Sequence, residues 1–186
     1  MDSVAPTPAP ASWRIVTEEA AATKAAAEAL GRVCRGGEVI GLVGALGVGK
    51  TCFVQGLAAG LGVPASAYVN SPTFALVNHH PGGRLVLHHV DLYRLEDPDE
   101  AVFIGYEDLF EPHSVVAIEW FEQFPELWPR AYLRVDLKEE AGAPLPPAGQ
   151  WAVEQGRRQM EVRAVGEPYE ELLRRWRQGW SPDRAR

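Results

Sequence analysis

Eight consecutive residues, Gly44-Ala45-Leu46-Gly47-Val48-Gly49-Lys50-Thr51, match the pattern G-x-x-x-x-G-K-[ST] at every fixed position. The residue types suit the gripping of a polyphosphate. Glycine permits backbone conformations that a side chain forbids, so the N–H groups of the loop can turn inward as an anion nest at the start of a helix. Lys50 then places a cation on the terminal phosphates, and the Thr51 hydroxyl suits a magnesium ligand. Cys52 closes the binding stretch as a small apolar residue.

A second run, Val115-Val116-Ala117-Ile118-Glu119-Trp120, is apolar and ends in a carboxylate. An acid at the C-terminal edge of a sheet, beside such a loop, holds magnesium directly or through water. Many strands end in a solvated Glu, so it is the loop upstream that gives Glu119 this reading. A third run is His88-His89-Val90-Asp91-Leu92-Tyr93-Arg94. Asp91 is placed to orient an attacking water or a metal-bound water, and Arg94 to support a phosphate or a partner. A salt-bridged strand end with a core tyrosine at Tyr93 explains the same residues equally well. His88 and His89 are adjacent and face opposite sides of a strand, which argues against a two-histidine metal site. A fourth segment, Asn70-Ser71-Pro72-Thr73-Phe74, sets two hydroxyls, Ser71 and Thr73, on a loop stiffened by Pro72. Such a loop can sense a terminal phosphate, although a plain turn would account for it.

These residues need elements to position them. Residues 38–43 form a mostly apolar run of the kind a buried parallel strand shows, and residues 51–59 carry apolar positions at helical spacing. Strand, glycine loop and helix is the required context. Upstream, residues 13–16 read as a short strand. Residues 17–31 read as an alanine-rich helix, with Thr17 as its cap and Glu18 and Glu19 in its first turn. Downstream, the sequence predicts short extended pieces over 68–70 and 74–78. A strand over 84–91 follows the Pro81-Gly82-Gly83 turn. Short helices over 98–105 and 106–110 and a strand over 114–119 come next. An alternating strand over 132–137 is followed by a Pro/Gly-rich loop over 141–149, strands over 151–154 and 159–164, and a last helix over 168–178. The alternation implies an α/β, phosphate-loop, three-layer fold. Its central sheet is mixed and mostly parallel, with antiparallel late strands from Tyr132 onward.

At 186 residues the chain suits one domain over 13–180, with a Pro/Ala-rich tail over 1–12 and a flexible end over 181–186. A net charge of −7 and a pI of 5.3 speak against DNA binding or a direct grip on RNA, which needs clustered Lys and Arg. Cys34 and Cys52 give neither a disulfide framework nor metal-ligand spacing, so a reduced, cytoplasmic setting is expected. The opening residues have no apolar centre of a signal peptide, and no apolar run approaches the roughly eighteen residues of a membrane helix. Three activities remain open on these residues: an ATPase, a small-molecule kinase, and an ATP-binding adaptor that does not hydrolyse. A kinase would need an acceptor pocket and a mobile basic lid. A GTPase is disfavoured, because no Asn-Lys-x-Asp is present to read guanine.

A phosphate loop, then Ser-Pro-Thr-Phe, then His-x-Asp-Leu-Tyr-Arg, then Glu-Trp after an apolar strand, resembles the TsaE family, also called YjeE. The match in order runs from Thr23 to about Val165. The resemblance implies a small bacterial Mg2+-dependent ATPase that acts with the proteins TsaB and TsaD in making threonylcarbamoyladenosine beside the tRNA anticodon. The tRNA would be reached only through that complex, and the ATP cycle would reset or support TsaB–TsaD rather than transfer the carbamoyl group. By the same resemblance Thr23 approaches the nucleotide and Lys50 lies on the phosphates. Thr51 and Glu119 hold magnesium, and Asp91 is linked to turnover. Ser71 and Thr73 form a switch-like loop, Trp120 is the tryptophan beside Glu119, and Tyr93, Arg94 and Trp120 join the loop as switch or partner-sensing residues. The arginine of the late Gly156-Arg157 pair approaches the nucleotide. Two positions depart from the family pattern: Ala45 replaces a common loop aspartate, which phosphate cradling does not require, and Cys52 replaces a small hydroxyl residue. The stretch 138–155 is also longer than is usual.

Overall fold

The computed structural model describes residues 11–140 and 155–181. Seven strands form one sheet: β1 (Ser12–Glu19), β2 (Glu38–Val43), β3 (Val77–His80), β4 (Val86–Asp91), β5 (Ser114–Glu119), β6 (Tyr132–Glu139) and β7 (Gln155–Val165). Three α-helices pack with it: α1 (Ala20–Val33), α2 (Lys50–Leu61) and α3 (Glu167–Gly179). The strand order is β1-β7-β6-β2-β5-β4-β3. β2 pairs in parallel with both β5 and β6, and β4 pairs in parallel with β5. The outer pairings, β6 with β7, β7 with β1 and β3 with β4, are antiparallel.

Composition explains the centre. β5 is Ser-Val-Val-Ala-Ile-Glu and all six of its residues are buried, as expected of a strand covered on both faces. On one face of β2, Phe121 lies against Gly41, where a Cβ would sit 2.2 Å from the ring. Phe121 is stacked on Trp128 and meets Tyr132 edge-on.

Helices α1 and α2 touch backbone to backbone. A Cβ at Gly60 would lie 2.1 Å from the Glu28 carbonyl oxygen, and one at Gly56 would lie 2.2 Å from that of Lys24. Since α2 carries Lys50 at its first position, this contact fixes the seat of the loop. Gly60→Ala is expected to force the helices apart and to cost about 1–3 kcal/mol of stability. A urea titration checks it, and an unchanged midpoint would mean that the helices separate freely.

Several expectations need correction. Thr17 does not cap α1. It lies in β1, whose pairing with β7 continues to Glu19, so the helix begins at Ala20 with no side-chain cap. Strand pairing with a distant part of the chain overrides the local cap preference. Ser12, placed in the tail, is the first residue of β1 and is paired with Arg163. β6 is parallel to β2, so among the late strands the antiparallel pairing begins between β6 and β7. β5 and β6 flank β2, and a parallel return of this kind needs a crossover rather than a hairpin. The connection over 120–131 supplies it. Residues 68–70 form no strand, and β3 starts only at Val77. The short helices Pro98–Ile104 and Tyr106–Leu109 are of the 3-10 type. Cys34 is buried, Cys52 is partly buried, and neither is bonded to the other. Among the described residues, no helix is long and apolar enough to cross a membrane. The expected loop over 141–149, the strand over 151–154, the tail over 1–10 and the end over 182–186 lie outside the described residues.

Candidate phosphate-binding site

The loop joins the C-terminal end of β2 to the first turn of α2. Gly44, Gly47 and Gly49 have φ of 145°, 80° and 112°, which only glycine adopts without strain. Gly44 also has no room for a side chain, because a Cβ there would come within 2.5 Å of the Leu137 carbonyl oxygen. Gly47 faces open space, with nothing within 4 Å.

Lys50 is only 4 % exposed. Its Nζ donates to the carbonyls of Gly44 (2.6 Å) and Ala45 (3.0 Å) and sits 3.8 Å from the centre of the Trp120 ring. Burial lowers its pKa, while the nearby carboxylates of Glu119, Glu122 and Asp91 oppose that shift. The result is an ammonium taken out of water at the mouth of a backbone nest, able to exchange its two carbonyl partners for anionic oxygens.

Sheet register brings the two acids together. Asp91 on β4 is paired with Glu119 on β5, and Glu119 with Leu42 on β2. Both carboxylates therefore stand at the C-terminal edge, the usual place for a ligand in an open α/β sheet. The Thr51 hydroxyl donates to Glu119 Oε1 (2.8 Å), and His89 Nε2 meets the same oxygen at 2.9 Å. Asp91 is buried. Its Oδ2 accepts from the hydroxyls of Ser71 and Thr73, and its Oδ1 from the backbone N–H of Tyr93 (3.0 Å). Lys50, Thr51, Ser71, Thr73, Asp91 and Glu119 line one cavity of about 220 Å3. That is below the roughly 300–1,000 Å3 of a pocket for a whole small molecule, and suits a phosphate group with a cation.

The aromatic residues roof this cavity. Trp120 has φ of 60°, uncommon for a residue with a side chain, and its ring lies 4.8 Å from that of Tyr93. Arg94 lies over the ring of Phe74, 4.2 Å from its centre, so its guanidinium holds the 70–74 loop rather than lining the cavity.

Two expected site residues, Thr23 and Arg157, are not brought to the loop, whereas Cys52 is in the cavity wall. Thr23 is fully buried, and its hydroxyl bonds Thr17 (2.8 Å), tying α1 to β1. The Cys52 thiol reaches the Ala20 carbonyl (3.4 Å) and links α2 to that same region. Arg157 pairs with Glu18 (3.1 Å) and Glu140 (2.8 Å). Its neighbour Arg158 is the arginine against the loop, with Nε donating to the Val48 carbonyl (2.9 Å) and Nη1 to that of Gly156 (2.6 Å). The period-two rule carried a usable signal: Arg158 falls in phase with Met160, Val162 and Ala164, the buried face of β7. Sequence reasoning also missed Glu122, whose Oε1 approaches the Gly44 N–H at 3.4 Å, and His89 as the partner of Glu119.

A glycine nest at a helix start, a buried lysine within it and two acids at the sheet edge define an α/β phosphate-loop protein of the nucleotide-binding kind. The chain belongs to the TsaE family: the family model described as "Threonylcarbamoyl adenosine biosynthesis protein TsaE" matches residues 17–144. The chain is similar to the tRNA threonylcarbamoyladenosine biosynthesis protein TsaE of Bacillus subtilis, at 36 % identity over 86 % of this chain and 89 % of the relative. It is also similar to the protein of that name from Treponema pallidum, at 38 % identity over 67 % of this chain and 90 % of the relative. Among solved structures, that of Bacillus subtilis YdiB matches with a TM-score of 0.70 and 28 % identity, over 92 % of this chain and 98 % of that one.

Proposed function

We propose that this protein is a Mg2+-dependent ATPase of tRNA threonylcarbamoyladenosine formation, cytoplasmic, acting with TsaB and TsaD and meeting tRNA only through them. The single observation that carries the ATPase reading is the shared cavity of Lys50, Thr51, Asp91 and Glu119. In this reading residues 13–180 are one ATPase domain.

The loop N–H groups and Lys50 bind the β- and γ-phosphates. The Thr51 hydroxyl donates its hydrogen bond to Glu119 Oε1, so its oxygen lone pairs are left for a cation. Thr51 and Glu119 would hold the Mg2+, which, when bound, neutralises charge on the phosphates. Asp91 orients the attacking water. A carboxylate has about four acceptor sites, and the three donors on Asp91 leave one for that water. Because two of those donors come from Ser71 and Thr73, the 70–74 loop and the catalytic acid move together. Anything that reorders the loop, a γ-phosphate or a partner protein, resets the acid.

The test is a pull-down with the TsaB–TsaD pair, with and without ATP and Mg2+, together with phosphate release in each mixture. A nucleotide-dependent complex and release faster than that of the isolated chain are expected. A complex without release in any mixture would favour the non-hydrolysing adaptor. No complex in any nucleotide state would remove the partner assignment.

A further inference from the structure

Lys50 and Glu119 line the same cavity with opposite charges, and the attraction of Glu119 is felt at Lys50. A direct pair would consume both charges, leaving neither for a phosphate or a cation. Among the described residues no such ion pair forms. Lys50 is held by two carbonyls and the Trp120 ring, while Glu119 is held by Thr51 and His89.

His89 is 0 % exposed. It lies on β4 in phase with Asp91, two residues away, and crosses diagonally to Glu119 on β5. A carboxylate is an acceptor only, so the imidazole donates from Nε2. Its Nδ1 is buried with no hydrogen-bond partner among the described residues. The bond to Glu119 therefore requires the proton on Nε2, whatever Nδ1 carries. Both donors, Thr51 from the loop helix and His89 from the sheet, land on Oε1. Oε2 receives no hydrogen bond among the described residues.

We infer that His89 is a positioning residue for the metal-binding carboxylate. It pins one oxygen of Glu119 from within the sheet, turns the other to the cavity, and keeps the carboxylate off Lys50. This rests on the reading of Glu119 as the Mg2+ acid. Such hydrogen bonds behind a ligand commonly govern cation affinity by 10- to 100-fold.

The experiment measures the affinity of a non-hydrolysable ATP analogue by calorimetry, with Mg2+ and in EDTA. The ratio of the two affinities is the readout. It is applied to the unmutated protein, His89→Leu, His89→Gln and Glu119→Gln. His89→Leu removes the donor and should lower the ratio by about tenfold or more, with the EDTA affinity held within about twofold. His89→Gln can present an amide N–H close to the place of Nε2 and should restore most of the ratio. A low ratio in Glu119→Gln with an unchanged one in His89→Leu would overturn the positioning role alone. An unchanged ratio in Glu119→Gln would remove the metal reading of the acid, and the inference with it. Nitrogen NMR of the unmutated protein gives an answer that needs no variant: Nε2 is expected to carry a proton, and an unprotonated Nε2 would overturn the positioning role.

Discussion

Lys50→Ala will bind ATP about a hundredfold more weakly, or worse. The ammonium is buried, already desolvated, and directed by the loop itself through the carbonyls of Gly44 and Ala45. Bonds from a charged donor to anionic oxygens are worth about 1.5–3 kcal/mol each, and ~2.7 kcal/mol is about a hundredfold in affinity. The loop N–H groups survive the change, so residual binding is expected. The variant also leaves Glu119 and Asp91 at the cavity, and Glu122 nearby, without the cation they share. Two controls separate loss of binding from loss of structure. Lys50→Arg keeps the charge, and a thermal melt shows whether the variant folds. Titration calorimetry gives the affinity. A folded Lys50→Ala that binds ATP as the unmutated chain does would refute the phosphate-loop reading.

That prediction could be written from sequence because its cause is local. Gly44 to Thr51 carry their conformation and their donors in one contiguous segment, and the flanking runs give the strand and the helix. Glu119 and Asp91 were legible for a related reason. Each ends a strand candidate, Glu119 after an apolar run and Asp91 after His88-His89-Val90, and the C-terminal edge of an open α/β sheet is where such acids can meet. The register bears this out, with Asp91 opposite Glu119. What stayed hidden depends on pairing between distant segments. Thr17 has the chemistry of a helix cap and loses that role only because β7 extends β1 through Glu19. Arg157 and Arg158 follow the same glycine, and only the face of β7 distinguishes them. The bond from His89 to Glu119 spans a diagonal between two strands, set by a register that no short motif encodes. The direction of β6 depends on which edge of β2 is free, a property of the finished sheet.

The second large effect falls on turnover and leaves binding nearly intact. Hydrolysis needs a water in line with the terminal phosphate, and positioning dominates this chemistry. Asp91 stands at the sheet edge, with Oδ1 held by the Tyr93 N–H and Oδ2 by Ser71 and Thr73. Asparagine at this place keeps an oxygen for the Tyr93 N–H. Its amide nitrogen would face two hydroxyls, which can rotate to accept. The fold and the 70–74 loop should therefore survive, and the retained oxygen keeps an acceptor site, whereas the negative charge that polarises and orients the water is lost. Asp91→Asn is expected to keep ATP affinity within about tenfold, ~1.4 kcal/mol. Its turnover should fall by about a hundredfold or more, the scale of a lost acid–base group. Turnover is to be read with TsaB and TsaD present, because the partners are expected to complete the site through the loop that Asp91 anchors. Glu119→Gln provides the contrast, since it should weaken Mg2+-dependent binding along with turnover. If Asp91→Asn releases phosphate at the unmutated rate in that mixture, Asp91 is a strand-end anchor for Ser71 and Thr73, and the water must be oriented by another group at the cavity.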